Sequence, residues 1–254
     1  MSKPKIILWD IETLPQMENV MKYLMNIYER STMKASMSTM ISFGYKELGD
    51  KKAKCINAWD FPTRWKKDVN DDYDVVKAAY DVLVTADGIV THYGTNFDVK
   101  FLNTRLMFHG LTPVPRVPHI DTCMVARSKL FVHSNRLNSI AQFFGLPEKL
   151  ENGGWQLWVD VMKRDPKAQS LMSKYCAQDV EVLEKLFLKI RPIIATIPNY
   201  NLFTNSKNPV CPSCGDPRLK KHGKKVTRTK LFQRYICGGC GSVSQQATKD
   251  RVEA

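Results

Sequence analysis

Apolar residues change their period several times along the chain, and each change marks an element. Ile6 to Trp9 are four consecutive apolar residues that run straight into Asp10, with Ile11 and Glu12 behind it. A continuous apolar run closed by a carboxylate predicts a central strand over Lys5 to Asp10, covered on both faces and functional at its C-terminal end. Met40 to Lys46 and Ala53 to Phe61 are rich in β-formers and predict neighbouring strands. Val69 to Ala86 carries Val75, Val76, Ala79, Val82 and Leu83 at helical intervals, and Gly88 to His92 returns to a short buried strand. Phe97 to His109 predicts a helix and His119 to Thr122 a strand. Three helices follow, over Leu137 to Phe144, Trp155 to Lys163 and Ala168 to about Ile194. Strands clustered early and alternating with helices later give an α/β fold, a mixed sheet flanked by helices on both faces.

The periodicity stops at Pro198 to Pro209 (PNYNLFTNSKNP), which has turn chemistry instead. The domain boundary is placed there: residues 1–197 form the first domain, 198–209 a linker, 210–245 a small second unit and 246–254 a flexible tail. With 254 residues, 43% of them apolar, a sizeable core is attainable and disorder of the whole chain is excluded. No apolar run approaches the roughly 20 residues of a membrane span. The four apolar residues before Asp10 are also too few for a signal-peptide core, so a cytoplasmic protein without membrane contact is expected. From residue 201 onward there are eleven basic residues against three acidic ones, so +8 of the net +13 lies in the last 54 residues. Such asymmetry predicts an electrostatic handle for a polyanion on a nearly balanced body, a solubilising tail being the other reading that composition allows.

Three short acidic elements stand out in the first domain. Asp10 and Glu12 are two residues apart on a predicted strand, so their side chains leave one face together while Ile11 points into the core. Asn96-Phe97-Asp98 opens a predicted helix, where a cap by Asn96 and a first-turn carboxylate are the ordinary reading. On the long helix Tyr175 and Asp179 are four residues apart and share a face, beside a core stripe of Val180, Leu183 and Leu186.

In this order, D-I-E-T, N-F-D and Y-x-x-x-D resemble the DEDD (DnaQ-like) superfamily of 3′→5′ exonucleases, which has the ribonuclease H-like fold. His119-Ile-Asp-Thr122 and Leu137-Asn-Ser-Ile-Ala141 are similar to that family's connecting segments, and the resemblance covers roughly residues 5–195. It is closest to the tyrosine branch and to the exonuclease domains of B-family polymerases; the histidine branch has His five residues before the last Asp, where this chain has Lys174. The resemblance implies a ribonuclease H-like mixed sheet and a 3′→5′ exonuclease. It further implies that Asp10, Glu12, Asp98 and Asp179 hold two Mg²⁺ or Mn²⁺ ions and that Tyr175 orients the attacking water. The chemistry suits the residue types, because hard divalent cations take carboxylate oxygens and two of them stabilise both the attacking and the leaving oxygen of a phosphodiester. Crowded carboxylates without a cation would repel one another. Around these motifs, Asp121 is expected as a strand-end cap, with support of the metal site as the alternative. Leu14 and Phe97 are expected to pack, with contact to terminal bases as the alternative, and the Met-rich segment 31–40 is expected to be a mobile loop. His92, His109, His119 and His133 show no mutual ligand spacing.

The seven cysteines divide in the same way as the charge. Cys55, Cys123 and Cys176 are isolated and read as small core residues. Cys211-Pro-Ser-Cys214-Gly and Cys237-Gly-Gly-Cys240-Gly have metal-ligand spacing, and the glycine after each pair permits the tight turn that aims N–H groups at sulfur. This resembles a zinc ribbon and implies one structural Zn²⁺ in a closed four-thiolate shell, although rubredoxin-like iron takes the same spacing. Between the pairs, Lys220, Lys221, Lys224, Lys225, Arg228, Lys230 and Arg234 interleave with Phe232 and Tyr235. That mixture suits phosphate contacts and base stacking, with a protein-docking surface as the alternative. These readings anticipate an enzyme hydrolysing DNA from single-stranded 3′ ends, with replication or repair proteins as partners. The rivals are an RNA-directed or structure-selective nuclease with the same site, and a non-catalytic nucleic-acid-binding adaptor.

Overall fold

The computed structural model of the chain describes residues 3–14, 39–147, 154–204 and 208–250. Its main sheet holds β1 (Ile6–Leu14), β2 (Thr39–Glu47), β3 (Lys54–Asn57), β4 (Gly88–Thr91) and β5 (His119–Asp121) in the order β3-β2-β1-β4-β5. The first three strands pair antiparallel, whereas β4 runs parallel to β1 and to β5. Around them lie α1 (Pro62–Lys67), α2 (Tyr73–Leu83), α3 (Asp98–Phe108), α4 (Thr122–Lys129), α5 (Leu137–Phe143), α6 (Trp155–Met162) and α7 (Pro166–Ile190).

Side-chain alternation along β1 divides the core into two layers. Ile7, Trp9 and Ile11 are buried on one side, with Val75, Val76 and Ala79 of α2, Leu102 and Leu106 of α3, and Leu157 and Val161 of α6. Ile6 and Leu8 are buried on the other, with Ala126 of α4, Ile140 of α5, and Val180, Leu183 and Phe187 of α7. The even-numbered positions of β1 therefore change from core residues to Asp10 and Glu12 while still facing the layer of α7. That helix is fixed to the sheet by charge as well as by packing. Lys46 on β2, its side chain 3% exposed, pairs with Glu181 and Glu184 of α7, both at 2.7 Å, and Glu181 also accepts from the Ala53 N–H. Burial alone would lower the Lys46 pKa, but the two carboxylates outweigh it and hold the ammonium above its ordinary range.

Three expectations, two strand ends and the start of the tail, are corrected. The strand predicted over Ala53 to Phe61 ends at Asn57, because the Asp60 carboxylate takes the Asn57 N–H at 2.8 Å to close a 3₁₀ turn and Pro62 then opens α1. The strand reaching Thr122 ends at Asp121, which caps the unanticipated α4 by accepting from Cys123 and Met124 N–H. Residues 198–209, expected as a linker with turn chemistry, contain a 3₁₀ turn at Tyr200–Phe203 whose Asn201 exchanges hydrogen bonds with the Val210 backbone. Residues 246–250, expected within the flexible tail, continue a third strand. That strand, β8 (Val243–Asp250), pairs antiparallel with β7 (Lys230–Cys237), which pairs with β6 (Leu219–Val226) in a separate three-stranded sheet. Most of the Met-rich segment lies outside the described residues; Met40, its last member, is fully buried in β2. Among the described residues no helix is long and apolar enough to cross a membrane.

Candidate functional site

Where the middle and C-terminal half of β1 meet α7, Asp10, Glu12 and Asp179 each offer a carboxylate oxygen, and these oxygens all lie within 4.8 Å of one another. Glu12 is 8% and Asp179 2% exposed, so the cluster sits at the edge of the core. What lets α7 reach it is a glycine. Gly44 stands opposite Asp10 in the β1–β2 register. A Cβ at that position would lie 2.8 Å from the Cys176 carbonyl oxygen and 2.9 Å from Cys176 Sγ. Only a bare backbone there allows α7 to lie against the strand, one turn before Asp179. Motif reading passes over Gly44, although a glycine inside a strand is the ordinary signal of a close backbone approach.

Asp98 stands apart from these three carboxylates. It is 3% exposed at the start of α3 and its carboxylate accepts from the Ile11 N–H, the backbone group between Asp10 and Glu12. Burial pushes its pKa up to about 7, backbone hydrogen bonds from its own and the Ile11 N–H oppose the rise, and Asp121 adds to it. The loop leading to Asp98 is clamped by Asp121, which accepts from Tyr93 N at 2.9 Å and Thr95 N at 3.0 Å in addition to its capping bonds. Burial would raise Asp121, but these backbone donors prevail and keep it below the usual carboxylate range. The expected capping role of Asp121 is thus present, extended to the loop that delivers Asp98. Tyr175 is half-buried one turn before Asp179, edge-on to Trp158 with ring centroids 6.2 Å apart. Leu14 is core at 1% exposure, whereas Phe97, next to Asp98, is 44% exposed. Three of the four histidines are engaged elsewhere: His92 with Thr122 and the Asn135 carbonyl, His119 with Thr91, and His109 with Asp72.

The four paired cysteines converge as a second cluster. Cys211 and Cys240 sulfurs are 3.6 Å apart and Cys214 and Cys237 sulfurs 3.7 Å, with all four within 4.8 Å. A tetrahedron with metal–sulfur bonds of about 2.3 Å has edges of about 3.8 Å, so the donor set fits a single four-coordinate ion. Each C-x-x-C pair turns through the glycine that follows it, Gly215 at φ 76° and Gly241 at φ 74°, whose N–H groups return to the carbonyls of Cys211 and Cys237. Burial pushes Cys211 up to about 11 and raises Cys214, while Cys240, also raised by burial, is brought down to about 7 by donors from Ser242. Buried thiols of this kind become four thiolates only when a cation compensates them.

The basic residues between the cysteine pairs do not form one surface. Lys220, Lys221, Lys224 and Lys225 lie on the edge strand β6, Arg228 in the turn that follows it, and Lys230 and Arg234 on β7. An irregularity in the register between Lys221 and Lys224 and the alternation of β7 divide them between two faces.

The RNase_H_2 family profile, of the RNase_H superfamily, matches residues 28–191, well over half of the chain. A 54-residue stretch is 43% identical to the PolC-type DNA polymerase III of Ureaplasma parvum serovar 3, covering 21% of this chain and 4% of that protein. The solved family B DNA polymerase of the hyperthermophilic archaeon Pyrobaculum calidifontis shares the fold, with a TM-score of 0.56 at 15% identity over 90% of this chain and 32% of the polymerase. The chain therefore spans only a minor part of the length of either polymerase.

Proposed function

The chain belongs to the RNase H superfamily, and from that premise we propose that it is a divalent-metal-dependent 3′→5′ exonuclease that hydrolyses DNA. The observation that carries this reading is the convergence of Asp10 and Glu12 of β1 with Asp179 of α7. Three carboxylate oxygens gathered this closely suit Mg²⁺ or Mn²⁺. Bound divalent ions would supply stabilisation for both the attacking and the leaving oxygen of a phosphodiester. Asp10, Glu12 and Asp179 would hold them, with Asp98, bonded to the Ile11 N–H between the first two, completing the set. Tyr175, on the same helix face as Asp179, would donate or accept one hydrogen bond to orient the attacking water. Phe97, exposed beside Asp98, offers an apolar face to the end of a strand. The cysteine cluster would hold one Zn²⁺ that is structural, since all four positions are filled by protein sulfur. Its basic strands would hold single-stranded nucleic acid.

The test is incubation with 3′- and 5′-labelled DNA and RNA, with and without Mn²⁺. Stepwise shortening of DNA from the 3′ end that requires Mn²⁺ and disappears in Asp10→Ala and Asp179→Ala supports the proposal. Either variant cleaving within tenfold of wild type at saturating Mn²⁺ overturns it, and preferential shortening of RNA replaces the substrate.

A further inference from the structure

We infer that one face of the β6–β7–β8 sheet is the single-strand contact, carried by Lys220, Arg234 and Lys225 around Phe232, and that the opposite face with Lys221 and Lys224 is not. This rests on the proposed role of the cysteine module in holding nucleic acid and assigns that role to particular residues.

The register makes the division. Lys220 pairs with Ile236 and Lys225 with Phe232, so these side chains share a face with Arg234, which alternates with its neighbours on β7. Along β7 this face presents a cation at three successive rungs: Lys225 opposite Phe232, then Arg234 itself, then Lys220 opposite Ile236. Rungs two residues apart are separated by about 6.6 Å, so the line of charge extends about 13 Å. Lys230 stands one rung further, in register with Asp250 of β8. On β6 the opposite face holds Lys224 opposite Gln233 and Lys221 opposite Tyr235, and at its far end Lys249 of β8 stands in register with Leu231. Between β6 and β7 this face has apolar pairs at Val226 with Leu231 and at Leu219 with Cys237, so its two β6 lysines are not flanked by a third cation on that strand.

The central cation has a built seat. The extra residue of β6 falls at His222–Gly223, and Gly223 has φ 66°. A Cβ on Gly223 would stand 3.1 Å from Arg234 Nη2, so the guanidinium lies across the bare backbone of the irregularity, between the rows of Lys220 and Lys225. On the other face Gln233 Nε2 donates to the Gly223 carbonyl at 2.8 Å and holds the irregular backbone in place. Among the described residues Lys220, Lys225 and Arg234 have no acidic partner, Lys220 and Lys225 are exposed, and Arg234 Nε is buried without an acceptor. Three like charges gathered by a dedicated irregularity and left uncompensated fit a polyanion that arrives from outside. Phe232, half-buried between them, offers the ring on which a base can stack. Single-stranded nucleic acid supplies both features at once.

The test uses full-length protein made inactive by Asp10→Ala and a fluorescent oligodeoxythymidine, with affinity measured across a salt series. Lys220→Gln with Lys225→Gln and Lys221→Gln with Lys224→Gln remove equal charge from adjacent positions of one strand. The first pair should reduce the slope of log K against log salt by about 1.4, at about 0.7 per phosphate contact on single strands, and the second should leave it unchanged. Arg234→Gln should act with the first pair. Equal reductions in the two pairs overturn the face assignment while leaving the module a diffuse nucleic-acid attractor. An unchanged slope in a variant lacking all four lysines and Arg234 overturns the underlying reading as well, because no contact by these strands then exists to be assigned.

Discussion

Replacing Asp98 by asparagine tests the electrostatics of the carboxylate site through folding alone. Asp98 is 3% exposed and burial has moved its pKa from 3.8 to about 7. The folded state therefore retains a proton that the unfolded chain releases. For a carboxyl raised in this way, stability is full below about pH 4, declines as pH rises, and is lost completely above about pH 7. A shift of about 3 units at about 1.4 kcal/mol each sets a ceiling on the order of 4 kcal/mol, of which about 2–3 kcal/mol falls between pH 5 and pH 8. The substituted amide keeps an oxygen for the Ile11 N–H and carries no charge, so that portion of the pH dependence disappears. Melting curves at pH 5, 6, 7 and 8, with stoichiometric Zn²⁺ and no other divalent ion, should show Asp98→Asn gaining on wild type by roughly 5–10 °C between the extremes, at about 2–4 °C per kcal/mol for a chain of this size. Mn²⁺ added at pH 8 should raise the melting temperature of wild type far more than that of the variant, because the cation compensates the carboxylate charge. Parallel melting profiles across pH would refute the argument that Asp98 is held protonated by burial.

Tyr175→Phe should leave Mn²⁺ binding intact and lower turnover by about 10²-fold, the scale of a lost water-orienting group, as single-turnover assays will show; wild-type turnover would make the ring a packing residue beside Trp158. Gly44→Ala should push α7 from β1 at the Cys176 carbonyl, costing about 1–3 kcal/mol in urea unfolding and weakening Mn²⁺ binding, whereas unchanged affinity in this variant would separate the close approach from the site. Asp72→Ala should cost about 3–5 kcal/mol, because the Asp72 carboxylate accepts from Arg105, His109 and the Met40 N–H, and its loss strands a guanidinium that is 4% exposed; calorimetry on the variant and on Arg105→Met in the same background reads the coupling directly.

The parts of the fold that are legible in the sequence are those in which one residue pattern permits one environment. Ile6 to Trp9 can be buried only between two layers, and Asp10 and Glu12 can then share only one face. Depth and register are not legible. Asp98 reads as a fourth equivalent carboxylate, yet it is bonded to the Ile11 backbone and lies outside the close cluster of the other three, a placement that depends on how α3 meets β1. The helix α4 is hidden because Asp121 reads equally as the end of a strand and as a cap, and its four backbone acceptances show it to be both. The basic strand of the cysteine module reads as one cationic run because the extra residue at His222–Gly223 leaves the composition untouched while changing which lysines face together.

The end of α7 shows why the two units are not joined by a free tether. Ile190 and Ile194 are buried in the layer that packs on β1, and between them Arg191–Ile193 forms a 3₁₀ turn. Pro192 of that turn lies 3.7 Å from where a Cβ of Gly241 would stand, and Tyr200 lies 2.9 Å from the corresponding point of Gly215. The two glycines that turn the chain beneath the paired cysteines are thus the two against which Pro192, just past α7, and Tyr200 rest, so each serves the sulfur cluster and the packing contact with the same missing side chain. Tyr200 also donates its backbone N–H to the Pro212 carbonyl within the first cysteine turn. A metal that fixes the four sulfurs therefore also fixes Gly215 and Gly241, and with them the surface on which the last turn of α7 ends. Since α7 carries Tyr175 and Asp179, order in the cysteine module and order in the carboxylate site are supported by one continuous helix.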